Sequence, residues 1–263
     1  MPYCKVCQQE VAKLVRCHIY PHSMARELAA EDGGHLLSMS DRFGPRMSVA
    51  HAGIFDDDIA CEECERRFGP ADDYAVYFRR AVLNLSLPFS VERLHPTQDF
   101  PTFRLPTFRA DPTRLHSFAM NTLFRSLLSD RWEHDQITEA FIEQEVRMSL
   151  GSGDPTISSG REVCIIFTMS DVGAYLGTPH LLPHPDHPKY VLQMPKMTIF
   201  VDAGTNGLGP GFSVLALRPG AHVAVWRRRE PVLEELKWPS EIMAALGDRI
   251  DNFDNVRRKR RGK

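Results

Sequence analysis

The apolar positions of this chain change period along its length. Between residues 112 and 148, Leu115, Phe118, Ala119, Leu123, Leu127 and Leu128 recur at spacings of three, four and five, close to one face of a helix. A second helix is expected from about residue 136 through Phe141, Ile142, Val146 and Leu150. It should stop at Gly151, Gly153 and Pro155. From residue 161 the pattern becomes strand-like. Stretches 163–167, 197–201, 212–217 and 222–226 are rich in β-branched and aromatic residues, and Pro-Gly and Gly-rich turns separate the last three.

The first third is less periodic. Residues 11–15 read as a strand, and Pro21 lies near the first turn of a helix reaching Leu28. A turn through Gly69-Pro70 then precedes a helix, N-capped by Asp72 or Asp73, that runs through Tyr77, Phe78 and Val82. Residues 84–112 alternate Pro with Phe, which forbids a continuous helix or a central strand and predicts a connector whose aromatics pack on both neighbours. A last short helix is expected at 239–246. The implied fold class is α+β, with a small front module at 1–82, the connecting segment at 83–111, and a domain of helices and mainly antiparallel sheet at 112–250. A tail follows at 251–263.

Composition narrows this little: 263 residues, 43% hydrophobic and 25% charged, suit a globular protein with a sizeable core. The net charge of -2 gives no global attraction to nucleic acid, so any basic surface must be local. No apolar run is long enough for a membrane span, and Met1 to Cys4 leaves no room for an apolar leader. Six cysteines, four of them in two tight pairs, point to metal ligation in a reducing compartment, hence a cytoplasmic protein.

The cysteines carry the main chemical signal. Cys4-x-x-Cys7 and Cys61-x-x-Cys64 each let two sulfurs reach one ion, and together they complete a tetrahedral shell. The separation between the pairs exceeds the usual zinc-ribbon spacing of about 15–20 residues, so an insertion of loops and short strands must fill it. Four thiolates leave no open position for water, which makes this zinc ion structural and any catalysis the work of other residues. Cys164, alone in an apolar strand, reads as a core thiol.

Between the pairs stands Cys17-His18-Ile19-Tyr20-Pro21, and Arg67-x-Gly69 follows the second pair. With the paired cysteines, this order resembles the zinc-bearing branch of the HNH endonucleases, a ββα-metal fold of the treble-clef group. The resemblance implies that His18 is the general base that activates water. It also implies a divalent ion bound by the residue before that histidine, with further partners near and after the second pair. Here those places hold Cys17, Asp56 or Asp57, and Glu65. Glu65 and the run Asp56-Asp57-Asp58 offer hard oxygens suited to Mg²⁺ or Mn²⁺. The alternatives are that His18 only hydrogen-bonds within the module, that Cys17 or His18 replaces a cysteine on zinc, and that the acidic triplet is a solvated turn. Residues 115–128 and 145–155 also resemble the helical region of a group of bacterial proteins that begin with paired cysteines around a His-Ile-x-Pro element.

Arg66, Arg67, Arg79 and Arg80 suit phosphate contacts or a solvated helix face. The tail Arg257-Arg258-Lys259-Arg260-Arg261-Gly262-Lys263 carries six positive charges in seven residues and attracts phosphates by counterion release. Two other patterns are set aside. Gly204 to Gly211 mimics a phosphate loop, but strand-like residues follow where a helix N-terminus is required, so a hairpin turn is expected. His180, His184 and His187 are interrupted by prolines and read as a Pro-rich loop.

Two functions follow. The first is HNH-like, metal-dependent cleavage of nucleic-acid phosphodiesters, with His18, Glu65 and Asp56 as catalytic residues. The second is a zinc-stabilised module that binds nucleic acid or protein without catalysis.

Overall fold

A computed structural model describes residues 1–31, 36–40, 46–50, 53–84, 90–92, 102–105, 110–130, 137, 140–152, 161–168 and 176–228. The expected helix at 239–246 and the basic tail with Arg257, Arg258, Lys259, Arg260 and Arg261 lie outside these residues.

The front of the chain opens with a two-residue-per-strand hairpin, β1 (Tyr3–Cys4) against β2 (Gln9–Glu10). Strand β3 (Val15–His18) follows, then helix α1 (His22–Glu31), with Pro21 just ahead of its first turn as expected. Residues 11–14 are not strand; the strand starts where that stretch was expected to end. The insertion contains an antiparallel pair, β4 (Leu36–Ser40) and β5 (Arg46–Ala50). Strand β6 (Phe55–Ala60) returns antiparallel to β3 and leads into helix α2 (Glu62–Leu83).

Helix α2 corrects one expectation. It runs unbroken through Pro70, so there is no turn at Gly69-Pro70 and neither Asp72 nor Asp73 is an N-cap. Proline disfavours a helical residue before it because its ring strikes the preceding Cβ; Gly69 has none, which eases the continuation. Asp72 is thereby turned to another use, described below.

Helices α3 (Pro112–Leu128) and α4 (Ala140–Ser152) fall where the periodicity placed them. Asp111 caps α3 by accepting from the Thr113 and Arg114 amides at 2.9 and 3.2 Å, with Pro112 at the first helical position. Behind them lie β9 (Val163–Thr168), β10 (Gly177–Leu182), β11 (Lys189–Met194), β12 (Met197–Asp202) and β13 (Val223–Arg228). The Pro/Phe-rich segment is more than a connector. It supplies β7 (Ser90–Glu92) and β8 (Thr102–Leu105), and the sheet reads β10-β11-β12-β9-β13-β8-β7. All its pairs are antiparallel except β13 with β9, so the sheet is mixed.

Both faces of this sheet are covered, which explains why β11 and β12 are buried at every position. One face, including Ile165, Phe167, Leu192, Ile199 and Val225, shares a continuous apolar core with α2, α3 and the front module. The opposite face, including Cys164, Ile166, Val191 and Phe200, packs on Leu208, Leu215 and Phe212. That covering segment is not the expected strand 212–217: a four-residue helix, α5 (Pro210–Ser213), stands there. The Gly-rich loop before it does bind an anion, but an internal one. Glu162 accepts from the Leu208 amide at 2.9 Å and from Ser213 Oγ at 2.5 Å, and a Cβ on Gly207 (φ +70) would approach its carboxylate to 2.7 Å. His180 lies on β10, not in a loop, and its Nδ1 meets the Thr178 carbonyl at 3.1 Å. His187 meets the Gly207 carbonyl at 3.0 Å.

The front module is built into the larger body. Arg79 near the end of α2 reaches the Pro195 carbonyl at 2.6 Å, Tyr20 Oη accepts from the Gln193 amide at 3.2 Å, and Phe78 packs on Phe167. Lys5 Nζ donates to the Leu128 carbonyl at 3.0 Å, and Arg147 on α4 holds the carbonyls of Lys5 and Val6. Among the described residues no helix is long and apolar enough to cross a membrane.

Candidate metal centre and the histidine beside it

Cys4 ends β1 and Cys7 sits in the turn before β2, where Gln8 takes a left-handed φ of 58° so that its amide can reach the Cys4 carbonyl at 2.8 Å. Cys61 immediately precedes α2 and Cys64 lies in its first turn. The four sulfurs lie within 4.8 Å of one another, and this is the one group among the described residues that could hold a metal ion. The geometry is prepared by backbone bonds: Lys5 N to Ile59 O at 3.0 Å ties the turn to β6, and the Cys61 amide donates to Cys4 Sγ at 3.3 Å.

The charges fit a cation. Burial pushes the Cys4 thiol up, but amide donors from Cys7, Cys61 and Val6 outweigh it and bring the thiol down to about 7. Cys7 and Cys64 are raised, first by burial and then by the neighbouring sulfurs. Four thiolates this close need a positive ion among them. A soft, four-sulfur, closed set suits a metal such as zinc in a structural role.

The His18 centre is separate from this cluster. His18 ends β3, stacks on His22 with centroids 4.9 Å apart, and lies against Phe55. Arg16 rests over the Phe55 ring at 4.2 Å and pairs with Asp57 at 3.4 Å. Burial, then the charge of His22, lowers the His18 pKa below the ordinary 6.5, against the opposing pull of Glu65. Glu65, one residue beyond Cys64 in α2, accepts a long 3.5 Å contact from the His18 amide. His18 Nε2 and Glu65 Oε2 are both shielded from solvent, with no hydrogen-bond partner among the described residues. Buried polar atoms are rarely left so.

Asp56 does not join them. It stands opposite Cys17 in the β3–β6 register, whereas His18 stands opposite Phe55. Directly opposed residues share a face and successive residues alternate, so Asp56 and His18 point to opposite sides of the hairpin. Asp56 accepts from Ser129 Oγ at 2.5 Å and from the Asp58 amide at 2.8 Å. Cys17 is fully buried, and burial raises its thiol well above the usual range. Among the described residues the hard donors left on the side of His18 are Glu65 and Asp57, and Asp57 is paired with Arg16 at 3.4 Å.

What the sequence reading passed over is Arg125. It is wholly buried on α3 and forms a two-pronged ion pair with Asp72, Nη1–Oδ2 at 2.7 Å and Nη2–Oδ1 at 2.9 Å. Its charge bears on Cys17, His18 and Glu65, and among the described residues its Nε has no hydrogen-bond partner. The available signal was one arginine inside the apolar run 123–128.

The expected phosphate-binding arginines divide. Arg66 and Arg67 are exposed but share Glu63. Arg79 is buried and, with Arg80, pairs with Glu27, so neither faces a phosphate unpaired. No protein-family model, curated protein or solved structure matches the chain.

Proposed function

We propose that the front of the chain is a treble-clef zinc module of HNH type, and that His18 serves it as the base in hydrolysis of a nucleic-acid phosphodiester. The order of knuckle, hairpin and helix supports the fold reading: β1–β2 carries one cysteine pair, β3 and β6 form the hairpin, and the start of α2 carries the other pair. The observation that carries the function is the pair of buried, unpartnered atoms, His18 Nε2 and Glu65 Oε2, at the meeting of β3 and α2. Leaving such atoms unsatisfied costs about 1–3 kcal/mol each, a cost that a bound water or phosphate oxygen would offset.

In the proposed step His18 Nε2, neutral at pH 7 because burial lowers its pKa, removes a proton from water. The water oxygen bonds to phosphorus, the bond to the leaving oxygen breaks, and that oxygen is protonated from solvent. Arg16, half exposed beside Phe55 and paired with Asp57 at 3.4 Å, would turn from that partner to meet a phosphate. The zinc ion would hold the scaffold and take no part in the step.

A second reading, a zinc-stabilised binding module without catalysis, is favoured by Cys17 and Arg125, which occupy the surroundings of the expected ion. Incubation of the full chain with plasmid and single-stranded DNA, beside His18→Ala, separates the two. Cleavage by the parent and none by the variant supports hydrolysis; intact DNA with both, or equal cutting by both, supports the binding module. If His18 is the base, the rate should hold steady through neutrality and fall only below the ordinary histidine range. The depressed pKa keeps the active neutral form above it.

A further inference from the structure

The turn between Cys4 and Cys7 is gripped from outside by α4. Arg147 donates from Nη1 to the Val6 carbonyl and from Nη2 to the Lys5 carbonyl, the latter at 2.9 Å. The guanidinium is itself fixed. Glu143, one turn earlier on α4, accepts from its Nε at 2.8 Å, and the Phe124 ring of α3 lies 5.1 Å away. Spanning two carbonyls takes the planar fork of an arginine; a lysine offers a single point.

Each peptide unit is a flat plate with its carbonyl and its amide on opposite edges. The Lys5 carbonyl shares a plate with the Val6 amide, and the Val6 carbonyl shares one with the Cys7 amide. Arg147 therefore holds the outer edges of two plates whose inner edges, the Val6 and Cys7 amides, face the Cys4 sulfur. The Cys61 amide meets the same sulfur at 3.3 Å. Cys4 is one of the four cysteines whose sulfurs lie within 4.8 Å of one another. Four thiolates around a divalent ion leave negative charge in excess, and amide hydrogens on the sulfurs offset it. Groups that orient metal ligands in this way typically change metal affinity by about 10–100-fold.

We propose that Arg147 is a positioning residue of the metal centre: it fixes the two peptide units that present the Val6 and Cys7 amides to Cys4. The role is independent of any hydrolysis at His18. Retention of the metal then depends on α4 being in place, although α4 supplies no ligand. The Lys5 side chain moors the same turn in another way, by donating to the Leu128 carbonyl at 3.0 Å and to Asp130. It braces the turn without holding either plate.

The test loads the full chain with Co²⁺ alone, whose thiolate-to-metal absorption reports the electron density on sulfur. Arg147→Met keeps a stem over Phe124 and removes the fork. It should move that absorption to lower energy and release Co²⁺ to a chelator about 10-fold faster. Arg147→Lys, reaching one carbonyl at most, should fall between Arg147→Met and the parent, and Lys5→Met should leave the absorption where the parent has it. An unmoved absorption in Arg147→Met, or an equal shift in Lys5→Met, would overturn the proposal and leave Arg147 a brace of the fold. A parent chain that takes up no Co²⁺ on its thiolates would overturn it together with the metal centre. If Arg147→Met does not fold, hydrogen exchange on the loaded parent decides: the Val6 and Cys7 amides should be protected, and free exchange at either would contradict the proposal.

Discussion

The cysteine cluster and the His18 centre lie one residue apart on α2, at Cys64 and Glu65, yet they are built in different ways. The cluster is closed by two local turns: each pair is fixed by its own three-residue step, and folding need only bring the two turns together through β6. The His18 centre draws on β3 and α2, where the His18 amide meets Glu65 at 3.5 Å, while Arg125 on α3 is held by its ion pair with Asp72. The contrast teaches that a site assembled from short-range geometry tolerates a changed context. A site assembled across elements depends on how those elements pack.

The largest expected effect separates the two on stability. Removing the metal by strong chelation, or replacing Cys61 with Ser, should cost on the order of 10 kcal/mol and unfold the front module. Because that module shares the apolar core with the sheet, the rest should lose cooperativity with it; circular dichroism and urea melts would show this. A metal-free chain melting like the parent would end the structural role given to the cluster.

Next comes the buried pair. Arg125→Met leaves Asp72 buried and unpaired and should cost about 3–5 kcal/mol, most of which the double change Arg125→Met with Asp72→Leu should recover. Failure of the second change to restore stability would mean that Arg125 does more than answer Asp72. A smaller loss, about 1–3 kcal/mol, is expected for Arg147→Ala, which removes the hydrogen bonds from α4 to the Lys5 and Val6 carbonyls. It should also speed metal loss, since those bonds brace the turn between Cys4 and Cys7. The smallest effect on the fold is expected at the tail. Truncation after Val256 should leave stability unchanged while weakening DNA binding at low salt and flattening its salt dependence. An unchanged salt slope would remove the tail from nucleic-acid binding.

How much of this could be read in advance follows the same division. The cysteine spacing and the α3 and α4 periodicities are local patterns, and each appears where expected. Strand β11 escaped notice because burial on both faces removes alternation, and the edge strand β10 because prolines at 179, 183, 185 and 188 disguise it. Helix α2 crosses Pro70 because Gly69 and tertiary packing outweigh a local breaker, and the error there misassigned Asp72. Asp56 was grouped with His18 by chain order, whereas strand register sets them on opposite faces. Arg125 was hidden by lying 53 residues from its partner.

The central claim is that the metal is held by the four cysteines alone, leaving His18 free beside it. Zinc-edge X-ray absorption on the full-length protein tests this directly. The account predicts a single shell of four sulfurs at about 2.3 Å. A shell containing imidazole nitrogen, or fewer than four sulfurs, would contradict it: His18 would then be a ligand and not a base.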